Sequence, residues 1–295
     1  MTVKGQVSET ALTAAAARAA HLIIDGDPPI FSDTLAAHLL GERADELIGY
    51  HRTHGSHPVL AGARAAVTVR SRYTEDRLAR AVNGGTTQYV ILGAGLDSFG
   101  YRSQLALGGR VRVLEVDHAA TQRWKRQALS AAGITVPPAV TFVPVDFEAG
   151  PVPGDLVGGG LDPSRPAFIS WLGVTMYLTR EAISETLAVV GDLAPGTEIV
   201  VEYMLPAGTR DQAGEAYAEA VMPVAAARGE PWLTCLRPGE VSAMLTRHGL
   251  EVLEQVRQSD AVDPALWNRD DPLRPSDLSM LAHARLTRRG APHAG

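Results

Sequence analysis

The stretch Gln88-Tyr-Val-Ile-Leu-Gly-Ala-Gly-Leu-Asp97 constrains this chain more than any other. Tyr89 to Leu92 is a short apolar run rich in β-formers and predicts a buried strand. It breaks into Gly93-Ala94-Gly95, where paired glycines let the backbone turn sharply and a ligand approach closely. Asp97 and Ser98 can cap a following helix. Strand, glycine turn and helix N-terminus make a nucleotide-type site at the carboxyl edge of a parallel sheet, although a plain tight turn reads the same way in isolation. Two later strands separate these readings. Val111 to Val116 ends at Asp117, 24 positions after Gly93, where an acid at the end of a second strand grips a ribose diol. Val140 to Val145 ends in Asp146-Phe147.

The alternation continues. Ala119 to Ala131 reads as an amphipathic helix, and Ala167 to Leu172 as a fourth strand ending in Gly173. Thr179 caps a helix over Arg180 to Leu193, and Thr197 to Tyr203 is a fifth strand. Regular β-α alternation from 88 to 203 implies right-handed crossovers and a parallel, Rossmann-like α/β sheet. Gly150 to Pro166, full of Gly, Pro and Asp, reads as loop. Residues 204–239 break the rhythm, with Gln212 to Arg228 helical, and suit a lid or substrate wall over the strand ends. A helix over Pro238 to His248 and strands over Leu250 to Val256 and Ser279 to Thr287 complete the pattern. Upstream, Glu9 to Ile24, Thr34 to Leu40, Arg43 to Tyr50 and Leu60 to Val82 read as helices. No linker separates them from the sheet, so residues 1–85 are expected to cap a domain that runs over 86–290. Residues 1–8 and the tail from Arg288 are expected to fray.

Bulk properties exclude several functions. With 45% apolar residues, the 295-residue chain can bury a full core. A net charge of −6 argues against nucleic-acid binding, which needs clustered Lys and Arg. Cys235 is the single cysteine, so an intrachain disulfide and a Cys-rich zinc site are excluded. The N-terminus lacks a basic segment followed by an unbroken apolar core, and no run of about 18 apolar residues exists. The expectation is a soluble cytoplasmic protein with a small-molecule partner, no metal, no membrane or nucleic-acid partner, and a homodimer as an open option. Three histidines crowd His51-Arg-Thr-His-Gly-Ser-His57; they suit a metal or a base, but a polar surface loop is the preferred reading.

The acids and the turn describe one ligand better than its rivals. Asp117 suits a ribose diol, and Asp146 with the Phe147 backbone N–H suits an adenine edge. Arg72, on the helix leading into the first strand, suits an amino-acid carboxylate, although Arg72 and Asp76 are also i,i+4 partners able to form a surface pair. Together these fit S-adenosylmethionine. The chain has no G-x-x-x-x-G-K-[ST] phosphate loop. NAD stays open from the glycines and Asp117 alone, but Ser98 stands where a third glycine belongs, and NAD explains neither Arg72 nor Asp146.

Arg70-Ser-Arg-Tyr-Thr-Glu-Asp76, Tyr89 to Ser98 with Arg102, Leu114-Glu-Val-Asp-His118, Val143-Pro-Val-Asp-Phe147 and Gly173-Val-Thr-Met-Tyr-Leu178 together resemble the leucine carboxyl methyltransferase family. The similarity runs from about residue 10 to residue 203. It implies a seven-stranded class I methyltransferase sheet with the last strand antiparallel and an N-terminal helical cap. The family includes bacterial O-methyltransferases acting on polyketides and other secondary metabolites. By position, the resemblance places Arg72 on the methionyl carboxylate, Gly93 against the methionyl group, Asp117 on the ribose, and Asp146 with Phe147 on the adenine, with Gly95 and Leu172 also in the cofactor-binding set. Many relatives read Glu-Gly where this chain has Leu172-Gly173, which removes a carboxylate from the cofactor's ammonium; Glu202 or backbone carbonyls are the substitutes. Tyr177 matches a tyrosine close to cofactor or acceptor, with a core role as its alternative. If the acceptor needs a base, His51, His54, His57 and Tyr177 are the candidates, with Tyr177 and His57 placed in the catalytic set. Tyr203, Arg210 and Trp232 lie where an acceptor would sit, and Arg210 would suit a carboxylate. An NAD(P)-dependent oxidoreductase and a non-catalytic cofactor-binding protein are the rival readings.

Overall fold

Alternation along the strands builds the sheet. In β1 (Gln88–Leu92), Tyr89 and Ile91 point into one apolar core and Val90 and Leu92 into another, so every side chain is buried and both faces must be covered by helices. The computed structural model describes residues 7–147 and 153–287. Of the stretches expected to fray, residues 1–6 and the tail from Arg288 lie outside them, whereas Ser8 is ordered as the N-cap of the first helix, accepting from the Ala11 N–H at 3.2 Å.

Among the described residues, α1 (Glu9–Ile24), α2 (Ala36–Leu39), α3 (Ala44–His54) and α4 (Pro58–Asn83) precede β1. After it come two single-turn helices, α5 (Phe99–Arg102) and α6 (Gln104–Leu107), then β2 (Arg112–Asp117), α7 (Ala119–Ala131) and β3 (Val140–Pro144). The chain continues through α8 (Pro153–Gly158), β4 (Phe168–Trp171), α9 (Arg180–Gly191) and β5 (Glu198–Met204). It ends with α10 (Gln212–Ala227), α11 (Pro238–Arg247), β6 (Leu250–Arg257) and β7 (Ser279–Leu286). The sheet order is β3-β2-β1-β4-β5-β7-β6. β1 to β5 are parallel, and β7 slots antiparallel between β5 and β6. The expected loop over Gly150 to Pro166 instead includes α8, whose Leu156 is buried in the core beside Val143. Reversal of strand order beside β1 opens a crevice at the carboxyl ends of β1 and β4, the topological switch point where such sheets bind ligands.

The N-terminal helices share the core of one sheet face, with Leu12 and Ala16 of α1 and Val69 and Tyr73 of α4 clustered with Tyr89 and Phe168. A buried polar cluster ties α1, α3 and α4 together. Arg64 holds Asp25 with two hydrogen bonds, 2.8 and 2.9 Å, both side chains being fully inaccessible. His21 Nε2 accepts from the Ile30 N–H, so its proton sits on Nδ1 and is donated to Asp25 Oδ2 at 2.9 Å. Burial works against an ionised Asp25, but the bonds from His21 and Arg64 outweigh it and hold the carboxyl below its ordinary value. His51 completes the cluster, with Arg64 at 3.4 Å.

The expectation of a polar surface stretch holds for His54 and His57, which are exposed, but not for His51. His51 is buried inside α3, its pKa lowered to about 4 by burial and by the Arg64 charge. His57 is the N-cap of α4, accepting from the Val59 N–H at 3.3 Å. Among the described residues no group of His, Cys, Asp and Glu is placed to hold a metal.

Breaking this cluster leaves a buried charge. Arg64→Ala is expected to cost about 3–5 kcal/mol in chemical denaturation, whereas a surface arginine costs under ~1 kcal/mol. His51 sets a pH dependence as well. Between pH 6.5 and about 4 the unfolded chain binds a proton that folded His51 refuses, so stability falls as pH falls through that window. Discounted for partial solvent screening, this is about 1–3 kcal/mol, and His51→Gln should flatten the stability–pH curve there.

Candidate functional site

A cavity of about 1050 Å³ opens over the carboxyl ends of β1, β2 and β4. Ligand sites usually run to ~300–1,000 Å³, so this one has room for a cofactor and a small acceptor together. Its floor is the turn after β1. Gly93 and Gly95 adopt φ of +69° and +48°, a region where side chains are strained. A Cβ on Gly93 would lie 2.2 Å from Val174 Cγ2, and one on Gly95 would press on Ala11 of α1. Both N–H groups of Gly93 and Ala94 bond the Val116 carbonyl, stitching the turn to β2.

Asp117 ends β2 on the cavity wall. Its Oδ2 accepts from the Gly95 N–H and its Oδ1 from the His118 N–H, each at 2.6 Å. Two of its roughly four acceptor sites are thereby used, leaving the others for a ligand. Burial raises its pKa despite those two backbone bonds. Asp146 and Phe147, following β3, also line the cavity, and Asp146 Oδ2 lies 3.7 Å from His118 Nε2. Leu172 lines it as an apolar wall.

Arg72 does not reach the cavity. Its side chain is 45% exposed and pairs with Asp76 at 2.9 Å, one helical turn on. The arginine that α4 contributes to the wall is Arg70. At about 100° per residue the two lie roughly 200° apart around α4, so when one faces the cavity the other faces away. Arg70 Nη1 donates to Glu202 Oε2 at 2.7 Å, and the Gly173 N–H donates to the same oxygen at 2.8 Å. Glu202 also receives the Ser279 hydroxyl and is buried behind Arg70, so it does not replace the missing carboxylate at position 172.

The acceptor-side expectations are also corrected. Tyr203 follows the period-2 alternation of β5 into the core, and its hydroxyl donates to Gln255 at 2.5 Å. Arg210 is held by the Leu205 carbonyl at 2.7 Å and by Glu215 at 3.1 Å, away from the cavity. Trp232 packs beside Tyr177 in a small apolar cluster, while its neighbours Pro231 and Leu233 line the cavity instead. His57, capping α4, is not on the wall. Tyr177 is: its hydroxyl donates to Thr10 Oγ1 at 3.4 Å, and burial raises its pKa.

Sequence reasoning missed Arg18, Arg70, Asp97, Thr121 and Glu230 on the wall. Asp97 was read only as a helix cap, and it does accept from the Phe99 N–H at 2.7 Å. Arg18 braces the turn, donating to the Leu96 carbonyl at 2.7 Å and to Asp33 at 2.8 Å. The Thr121 hydroxyl is buried and unpaired among the described residues, an orphan that a polar ligand would satisfy.

Sheet order, glycine turn and acid-lined cavity are those of the class I methyltransferase fold. Solved structures share the fold: a protein of Thermobifida fusca provisionally described as a methyltransferase (18% identity, TM-score 0.60, 97% of each chain covered) and a DUF574 family protein of Streptomyces avermitilis (17% identity, TM-score 0.58, covering 92% of this chain and 96% of that one). The leucine carboxyl methyltransferase family model matches residues 11–191, and the chain belongs to that family. A Bacillus subtilis (strain 168) protein, YktD, provisionally named an S-adenosyl-L-methionine-dependent methyltransferase, is 31% identical over 95% of this chain and 98% of its own length. The protein is an S-adenosylmethionine-dependent methyltransferase, which closes the oxidoreductase reading.

The exchange of Arg72 for Arg70 is directly testable. Arg70→Ala should weaken binding of S-adenosylhomocysteine, measured by calorimetry, by about 1.5–3 kcal/mol, the worth of hydrogen bonds to a charged group. Arg72→Ala should leave it unchanged.

Proposed function

We propose that the protein methylates a hydroxyl oxygen of a small organic acceptor. The observation that carries this reading is the charge of the wall away from the sheet. Ser8, Thr10, Ala11, Tyr177, Leu178 and Leu233 there are apolar or hydroxylic, and the charged group beside them is the carboxylate of Glu230. Of the cavity's guanidiniums, Arg18 is paired with Asp33, and Arg70, already bonded to Glu202, is taken up by the cofactor's own carboxylate. A carboxylate acceptor would be buried there without a counter-ion, which is costly. A neutral phenol or alcohol carries no such penalty. Resemblance to a family that includes bacterial O-methyltransferases of secondary metabolism supports a small-molecule acceptor.

The residues on the sheet side suit S-adenosylmethionine. Arg70 takes the amino-acid carboxylate, and Gly93 and Gly95 let that group lie against the backbone. Asp117 accepts from the ribose hydroxyls, while Asp146 and the Phe147 N–H read the adenine. Asp97, beside the glycine turn, takes the ammonium that a glutamate at position 172 would otherwise hold. When bound, the cofactor supplies an electrophilic sulfonium methyl. The chain's own task is to align the acceptor oxygen about 3 Å from that carbon and to keep water from competing with it, while the hydroxyl proton that the methyl replaces is lost to bulk solvent. Tyr177, on the acceptor side with its proton held by burial, orients the acceptor through a hydrogen bond.

Two measurements test this reading. Transfer of label from methyl-labelled cofactor should occur to a panel of phenols and alcohols and give base-stable ethers. Base-labile label on carboxylic acids alone would overturn the hydroxyl assignment. Asp117→Ala should weaken S-adenosylhomocysteine binding by about 1–3 kcal/mol, and an unchanged affinity would remove Asp117 from the site.

A further inference from the structure

Glu230 makes contacts that its position in the chain does not anticipate. It follows α10 in the insertion, yet its carboxylate reaches the first turn of α1, about 220 residues upstream. Oε1 accepts from the Ser8 hydroxyl at 2.8 Å. Oε2 accepts from the Thr10 N–H at 3.2 Å and, in a short bond, from the Thr10 hydroxyl. Thr10 Oγ1 in turn accepts from Tyr177, so a line of hydrogen bonds runs from Tyr177 through Thr10 to Glu230. All four residues line the cavity.

The two sides of this junction are anchored unequally. The insertion segment is tied to the sheet end: the Leu233 N–H bonds the Met176 carbonyl at 2.6 Å, the Thr234 hydroxyl bonds the Leu178 carbonyl at 2.6 Å, and the Leu236 N–H bonds the Met204 carbonyl at 2.8 Å. The middle of α1 is buried without a break from Ala15 to His21, but its first turn is only half-buried. Glu230 takes both hydroxyls and one of the amide groups that a helix N-terminus leaves without intrahelical partners. Its negative charge also complements the positive end of the helix.

We propose that Glu230 is a positioning residue: it latches the first turn of α1 across the acceptor end of the cavity and, through Thr10, fixes the Tyr177 hydroxyl. The latch lets one carboxylate close the site to water and orient the group that faces the acceptor. Its second role rests on the acceptor side proposed above. Opening frees Ser8 and Thr10 together, so exit of the spent cofactor and loss of Tyr177 orientation are coupled events.

The test uses the full chain and radiolabelled S-adenosylhomocysteine. Glu230→Ala should accelerate its release about tenfold with the thermal midpoint nearly unchanged. Glu230→Gln, whose amide oxygen still accepts from Thr10, should restore most of the slow release. Thr10→Val should accelerate release by itself, and the double variant should add little more, because both act on one junction. Unchanged release in Glu230→Ala, or fully additive effects with Thr10→Val, would overturn the latch. Should Glu230→Ala fail to fold, Thr10→Val and Glu230→Gln carry the same comparison. Failure of the wild-type chain to bind S-adenosylhomocysteine at all would instead overturn the cofactor assignment.

Discussion

The carboxylate of Asp117 joins two things that the site needs together. By accepting from the Gly95 N–H it fastens the glycine turn to the end of β2, and by accepting from the His118 N–H it fixes the entry to α7. Neither glycine could hold its positive φ on its own account, because glycine is the residue that loses most freedom on folding. The turn is further held by the Val116 carbonyl below and by Arg18 at the side. It is therefore rigid before any ligand arrives, and binding spends little on ordering it.

Beneath the turn a charged network stands in for apolar packing. Asp33 receives Arg18 and the Ser98 hydroxyl, and Arg102 bridges Ser98 to Glu75 of α4. Burial opposes ionisation of Asp33, but Arg18 and Arg102 outweigh it and keep the carboxyl below its usual range. On the far side of the helical layer the Asp25–Arg64 pair does similar service. Buried pairs of this kind are poor sources of net stability, but removal of one partner is severe, so they penalise alternative packings of α1, α3 and α4. An Ala-rich α1 fits this scheme: small side chains let it lie against Gly95, while Arg18 and His21 supply the polar links.

Much of this was legible in the residues. The strands from β1 to β7 and the helices α1, α7, α9, α10 and α11 follow the hydrophobic period and the capping residues to within a residue or two. Asp117, Asp146 and Phe147 were found because a strand's end fixes where the next residue points. Arg72 was misplaced because helical position is continuous: Arg70 and Arg72 flank the same buried stripe of Val69 and Tyr73 on opposite sides, and only packing of α4 on the sheet decides between them. Tyr203 could have been placed by alternation, since Glu202 and Tyr203 must face opposite sides of β5. Arg210, Trp232 and Glu230 lie in an insertion whose course no periodicity records, and a contact spanning over two hundred residues leaves no local trace. His51 misled for a related reason, because polarity alone does not distinguish its satisfied buried imidazole from the exposed ones of His54 and His57.

Gly173 ties two distant positions into one fate. With φ at +70° it sits under the Arg70 guanidinium, where a Cβ would lie 2.8–3.1 Å from the guanidinium atoms. Any side chain there would push the arginine off Glu202 and strain the loop, and any shorter cation at position 70 would leave the space unfilled. Across descendants of this sequence, the glycine and the arginine should therefore be inherited or lost as a pair, even though a hundred residues separate them.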